Sequence, residues 1–542
     1  MKRITMDLHS RNRFRIAFAA LLCATTIAAA STLSAQARTD DSKGQDGQHG
    51  NDAFTPGNLV VSRSTFSQNA GFSQYPFIWN TVLTDASFGI TSPIFLDQLS
   101  LQGALINSLE VPNSLQHGVP PTKDQMVTSF SSKSELALNL STDGSFLTFM
   151  GYLAPVDGID VSNSNTPAAI DSTNPVTSVA YRSVAQVDQH GKFQFTKTNA
   201  YSGNNGRAAI LNNRDGGNAY FTAGNAGNGS NPQPAGIIIG AGAQIITPEN
   251  KAEVAQRPGD PTPAGSFSVT ELGGKADKLG KDDNFRGLTI FDDVLYFTKG
   301  SGSNGVNTVY FVDTRGGACP NGVGLPHHGA TLPSMPLAYD STALETTGLP
   351  SNMCILSGFP STRNSALKAT TTAYPFGIWF ADANTLYVAD EGDGDPADET
   401  VATSGLQKWV FNSGTSSWVH VYTLQNGLGL GATYRFPGDS AYPTGVNAAT
   451  GLPWAPVTDG LRNITGRVNF DGTVTIWGIT STVSGNGDQG ADPNKLVAIT
   501  DVLGNTTPAL AATEHFVTVR TAGYGEVLRG VAFTPGTRVD QP

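Results

Sequence analysis

Charge is scarce in this 542-residue chain: Asp, Glu, Lys and Arg together make up 14% of it. Helical patterning is scarcer still, because no long segment repeats apolar residues at the 3.6-residue period, which argues against a helical fold. Catalytic signatures are missing too. There is no Gly-x-Ser-x-Gly elbow, no His-Glu-x-x-His pair and no phosphate-cradling loop. "GAGAQ" at Gly240–Gln244 lies in an apolar strand run rather than ahead of a helix, so it is not a dinucleotide-binding turn. Beyond the first 37 residues no apolar run is long enough to cross a membrane as a helix. Cysteine is limited to Cys23, Cys319 and Cys354.

The N-terminus carries the pattern of an export signal over residues 1–37. Lys2, Arg3, Arg11, Arg13 and Arg15 form a basic region, Ile16–Ala30 an apolar core, and Ala35–Ala37 ("AQA") a small-x-small cleavage site. Leu22 is too large for the position before a lipidated cysteine, so Cys23 is not expected to carry a lipid. Cleavage removes those five bases and Asp7, taking the formal charge from −11 to −15. A chain this acidic is not suited to nucleic acid. A secreted or periplasmic monomer is the expectation. Residues 38–53 are polar and read as a disordered leader.

From Phe54 onward one unit recurs: an apolar run, a tight Asp/Asn/Gly turn, a second run rich in Tyr, Phe and Val, then a polar loop. It is readable at Glu135–Gly151, Arg207–Gly224, Phe285–Gly300, Phe376–Gly392 and Leu461–Gly478. Turns such as "DG" and "DD" suit two-stranded hairpins, and the spacing is that of radial repeats. A sixth copy, "VLRGVAF" at Val527–Phe533, supplies a first strand only. Asn58–Arg63 can be its second strand and Ser92–Pro112 its third and fourth, joined at Gly103. The chain is therefore expected to be an all-β, six-bladed β-propeller over residues 54–542, closed by pairing both chain ends. A seventh blade remains open if Gly316–Thr372 or Thr423–Gly460 conceals one. The blade pattern, with "NTLYVAD" followed by "GLQKWVF" at Gly405–Phe411, resembles secreted bacterial NHL-like and SMP-30 (lactonase)-like propellers.

Two residue sets carry candidate chemistry. Arg207, Arg286, Arg462 and Arg529 each precede the apolar run of a first strand, which in a propeller lies nearest the central channel. Their guanidinium forks would suit a carboxylate or phosphate on a ligand, or they would tie neighbouring blades together. "ADEGDGDPADE" (Ala389–Glu399) packs six acids into ten residues. Asp390, Asp393 and Asp395 are the candidate ligands for Ca²⁺, although Pro396 and Ala402 break the EF-hand pattern; a solvated acidic loop is the other reading. Cys319 and Cys354 share one Gly/Pro-rich connection and are read as a disulfide worth about 3–4 kcal/mol. Free thiols, or a metal site with His327 and His328, are the alternatives. Tyr201, Tyr374, Tyr434, Tyr442, Trp454 and Tyr524 fall on loops leading into first strands, where they could stack on sugar rings or pin the loops. Long loops gather on the rim where the first strands begin, so a ligand site is expected there.

These features suggest an exported binding or scaffolding propeller with a channel-mouth site for a small anionic or sugar-like ligand. A Ca²⁺-assisted hydrolase or lyase of a lactone, phosphoester or acidic saccharide is the competing class, and a structural surface protein the third.

Overall fold

Tight turns set the local structure first. Asp292 and Asp293 both have positive φ, 47° and 56°, the type I′ geometry whose twist matches two flanking antiparallel strands. They join Leu288–Phe291 to Val294–Lys299 in register. The same inner-to-second hairpin recurs around the molecule. The computed structural model describes residues 53–66, 90–116, 125–130, 134–167, 170, 174, 176–225, 242–248, 284–300, 306–333, 353–361, 373–395, 403–435, 445–446, 451, 453–484 and 492–538. The chain divides at His49, and all described residues belong to the unit Gly50–Pro542. The residues read as an export signal, and those read as a leader up to residue 52, lie outside them.

Six sheets form the blades of an all-β propeller. Blade 1 is built from Asn139–Leu140, Phe146–Tyr152, Arg182–Asp188 and Phe193–Thr198. Blade 2 contributes Gly206–Asn212, Ala219–Gly224 and Ala243–Ile246. Blade 3 runs Leu288–Phe291, Val294–Lys299, Thr308–Val312 and Met353–Leu356, with Val323–Gly324 added in parallel at its edge. Blade 4 is Pro375–Asp382, Thr385–Asp390, Gly405–Asn412 and Ser417–Leu424. Blade 5 is Val457–Val468, Thr473–Val483, Lys495–Val502 and Val517–Thr521.

Blade 6 takes its inner strand, Glu526–Phe533, from the C-terminal region and the rest from the N-terminal region. Leu59–Thr65 lies between that strand and Ile94–Leu99, pairing Leu59 with Phe533 on one side and with Leu99 on the other. Leu105–Glu110 completes it after a turn containing Gly103. Ring closure by both ends is as the repeat count requires. Of the two segments considered for a seventh blade, Thr423–Gly460 begins with the end of blade 4's outer strand and ends with the start of blade 5's inner strand, and Gly316–Thr372 supplies the outer strands of blade 3. The Cys319–Cys354 disulfide ties that connection to the outer strand, across a Cα separation of 5.7 Å.

Apolar clusters fill the wedges between blades. Phe291 of blade 3 stacks on Phe380 of blade 4 at 4.5 Å, and Trp477 of blade 5 meets Phe533 of blade 6 edge-on at 5.7 Å. Where adjacent inner strands touch there is no room for side chains, and glycine takes over. A Cβ on Gly287 would lie 2.0 Å from the Phe376 carbonyl oxygen of the next blade. On Gly377 it would lie 2.3 Å from that of Arg462, and on Gly530 2.3 Å from that of Leu136. The Gly of the repeated Arg-Gly pair is thus where one inner strand touches the next. Second-strand hydroxyls complete the joint. Thr298 Oγ1 accepts the Gly287 N–H (2.8 Å) and donates to Phe376 O (2.5 Å). Ser62 Oγ accepts the Gly530 N–H (2.8 Å) and donates to Leu136 O (2.8 Å). Thr148 Oγ1 donates to Ala209 O (2.7 Å).

Gly287→Ala and Gly530→Ala are each expected to destabilise by about 3 kcal/mol, as backbone has to move. Gly504→Ala, where nothing lies within 4 Å, stays within about 0.5 kcal/mol. Thr298→Val costs about 1–3 kcal/mol by orphaning a buried N–H and C=O. Urea unfolding of the four variants tests the set.

Candidate functional site

The inner strands begin at one end of the central channel with the arginines. All four are buried, at 3–5% relative exposure. Arg207 Nη1 donates to Phe285 O (2.8 Å) and to Asn284 Oδ1, crossing from blade 2 to the start of blade 3. Arg529 donates through Nε to Ser64 Oγ (3.2 Å) and through Nη2 to the carbonyls of Ser129 (3.1 Å) and Phe130. Arg286 donates to Ser134 Oγ, which belongs to the approach to blade 1. Blade 4 has Phe376 at the corresponding position but contributes Glu391 just past its second strand. The Glu391 carboxylate lies 3.6 Å from Arg286 Nε and 3.5 Å from Arg462 Nε, joining blades 3 and 5.

Blade 1 supplies the second buried carboxylate, Glu135. It accepts from Thr128 Oγ1 (2.7 Å), the Ser129 N–H (3.1 Å), Asn205 Nδ2 (3.0 Å) and the Tyr152 hydroxyl. Nearby, burial first and the Glu135 charge second push the Asp160 carboxyl up to about 7. Arg182, fully buried, donates to the carbonyls of Ser162 (3.0 Å), Ser164 (2.8 Å), Ala180 (2.9 Å) and Asn204 (2.6 Å). The long second-to-third-strand loop of blade 1 is thereby wrapped around a guanidinium. Buried carboxylates therefore lie beside this end as well, Glu391 between Arg286 and Arg462 and Glu135 at the approach to blade 1.

The three candidate Ca²⁺ ligands are placed differently from one another. Asp390 is buried and accepts the N–H groups of Tyr374 (2.8 Å) and Gly392 (3.0 Å) and Gln407 Nε2 (3.0 Å); burial pushes its carboxyl up to about 7. Asp393 accepts the Asp395 N–H at 2.9 Å, and Asp395 is exposed. Among the described residues no three His, Cys, Asp or Glu side chains converge as a metal site; residues 396–402 lie outside them. Of the aromatics, Tyr201 and Tyr434 pin loops: both are buried, Tyr201 bonding Thr222 Oγ1 (2.7 Å) and Tyr434 the Ala522 carbonyl (2.7 Å). Tyr524 is 58% exposed, and Tyr442 is outside the described residues.

The channel widens at its other end, the rim of tight turns. A cavity of about 710 Å³ there is walled by all six inner strands, within the range of small-molecule sites. Leu138, Leu140, Ile210, Ile290, Ile378, Ile464 and Ala532 form apolar walls; Asn139, Thr289 and Thr465 add polar groups, and Arg467, Arg538 and Asp382 add charge. Trp379 is half-buried, and its indole lies face-on over blade 5: a Cβ on Gly466 would be 2.7–2.8 Å from three ring atoms. The cavity is therefore on the rim opposite the one that loop length favoured. Its wall starts three residues beyond Arg207, Arg286 and Arg529, at Ile210, Thr289 and Ala532, and two beyond Arg462, at Ile464, or about 7–10 Å along the strand. Alternation within the inner strands was the signal for it; the long loops drew attention to the other end.

Asp160 and Asp390 hold protons in the folded state that the unfolded chain releases near pH 4. Their contribution is complete below about pH 4 and disappears as pH rises through about 7. Melting temperature should fall by roughly 5 °C or more between pH 5 and pH 8, and Asp160→Asn with Asp390→Asn should remove most of that slope. Glu391→Gln, which leaves two buried guanidinium groups facing a neutral amide, should cost about 3 kcal/mol, read by the same melts. No protein-family model matches the chain, and no curated protein matches it.

Proposed function

We propose that this protein is an exported binding propeller whose channel takes a small amphipathic anion. The apolar or sugar-ring body would lie against Trp379 and the aliphatic wall, and the acid group would point toward Arg207, Arg286, Arg462 and Arg529. One observation carries the reading: a cavity of about 710 Å³ enclosed by all six inner strands, with the arginines further along those same strands. Apolar burial supplies affinity in such a site and the guanidinium forks supply selection for an acid group. The Cys319–Cys354 bridge supports an oxidising compartment. The six-blade ring closed by both ends supports the resemblance to NHL-like and SMP-30-type propellers, a fold that hosts many functions.

Decanoate, decyl sulfate, decanol and glucuronate form a discriminating panel for calorimetry and Trp fluorescence. Binding of the two amphipathic anions at least tenfold tighter than decanol is expected, with Trp379→Ala weakening it about tenfold. Arg286→Gln and Arg529→Gln are measured for both binding and melting. Lower melting with unchanged anion binding would reduce the arginines to blade ties, and no binding of any panel member would overturn the proposal.

A further inference from the structure

The "GLQKWVF" strand contains a lysine that the channel does not use. Lys408, on the third strand of blade 4, is fully buried, and its Nζ lies 2.8 Å from Oδ2 of the fully buried Asp501 on the third strand of blade 5. Two hydroxyls are directed at the same carboxylate, Tyr422 at Oδ1 (2.6 Å) and Tyr387 at Oδ2. The Nζ also reaches Tyr422 Oη (3.0 Å) and the carbonyls of Val502 (2.9 Å) and Leu503 (3.0 Å). An ion pair with these partners is complete, yet a second acid is present. Glu514 Oε1 accepts the Val502 N–H (3.1 Å) and Asn505 Nδ2 (2.9 Å). Its Oε2 is buried with no hydrogen-bond donor among the described residues. Burial, and then the shared contact with Asp501, push the Glu514 carboxyl up to about 7. A second carboxyl weakens a Lys–Asp ion pair, but a condensation between the two side chains needs one.

We propose that Lys408 and Asp501 are a modification site: an intramolecular amide forms between Nζ and Cγ, with Glu514 as the proton carrier, and cross-links blades 4 and 5. In the dry pocket the ammonium gives a proton to the Asp501 carboxylate. The Nζ lone pair then attacks Cγ, and the Tyr422 hydroxyl stabilises Oδ1 as it becomes negative while the protonated Oδ2 is the oxygen that departs. Glu514 protonates the departing Oδ, which leaves as water, and recovers a proton from Nζ. One C–N bond replaces one C–O bond, one water is released, and no oxidant or reductant takes part. The product amide has acceptors for its N–H in the Val502 and Leu503 carbonyls and a donor for its remaining oxygen, Oδ1, in Tyr422. Glu514 is the partly exposed member, which provides the exit for water.

Intact mass of the folded, purified protein, measured after reduction and denaturation, tests this directly. The wild type should be lighter than its composition by one water, and digestion should yield a branched peptide joining the segments around Lys408 and Asp501. Lys408→Arg keeps the cation and should restore the full mass. Glu514→Gln should remain folded by circular dichroism yet keep the full mass. Full mass in the wild type after prolonged incubation would overturn the proposal. So would a lost water that survives Lys408→Arg, as from a succinimide at an Asp-Gly turn. A cross-link that forms unimpeded in Glu514→Gln would overturn the role of Glu514.

Discussion

Backbone contact between neighbouring inner strands is the constraint on which this ring depends. At Gly287, Gly377 and Gly530 a side-chain atom would overlap the next blade's backbone, so the radius of the ring at that level is set by backbone atoms rather than by packing of side chains. Such an approach buries N–H and C=O groups that need partners. The second-strand hydroxyls of Thr298 and Ser62 supply them on both sides of the joint. Apolar wedges further out then have a fixed gap to fill, and aromatic stacking such as Phe291 on Phe380 fills it.

The same level of the ring explains why the arginines are where they are. A residue just before the touching glycine points where side chains from adjacent blades and loops converge. There a guanidinium can reach several carbonyls and carboxylates at once. Blade 4, lacking an arginine, contributes Glu391, and the two flanking arginines share it. Replacing such a group by something apolar can be neutral, but removing one partner alone is costly. This end is therefore occupied by buried, hydrogen-bonded charged groups. The opposite end, where inner strands diverge toward their tight turns, is left open and lined by aliphatic side chains. The proposed ligand, an anion with an apolar body, rests on this contrast between the two ends.

The hairpins, the missing strands of the sixth unit, and the pairing of Cys319 with Cys354 were legible because each is a local or counting property. A Gly at a turn, alternation of apolar residues, and one unpaired strand at each chain end are all one-dimensional facts. Trp379 against Gly466, Arg182 inside its loop and Lys408 against Asp501 were not legible. Each joins residues on different strands or blades whose approach depends on twist and radius. The acidic run at Asp390–Glu399 shows the difference within a single stretch. Composition suggested one shared role, whereas Asp390 anchors backbone, Glu391 bridges two arginines, and Asp395 faces solvent.

By itself the sequence determined that the chain is β, that it is built from repeats, and that its two ends belong to one blade. Alternation, turn chemistry and strand count are sufficient for those conclusions. Only the tertiary structure decided that the cavity lies at the tight-turn rim, with the buried arginines further along the inner strands. Side chains brought together there are separated by up to several hundred residues along the chain. Which of them meet depends on how six twisted sheets close around an axis, because the ring's radius, and not sequence proximity, sets those distances.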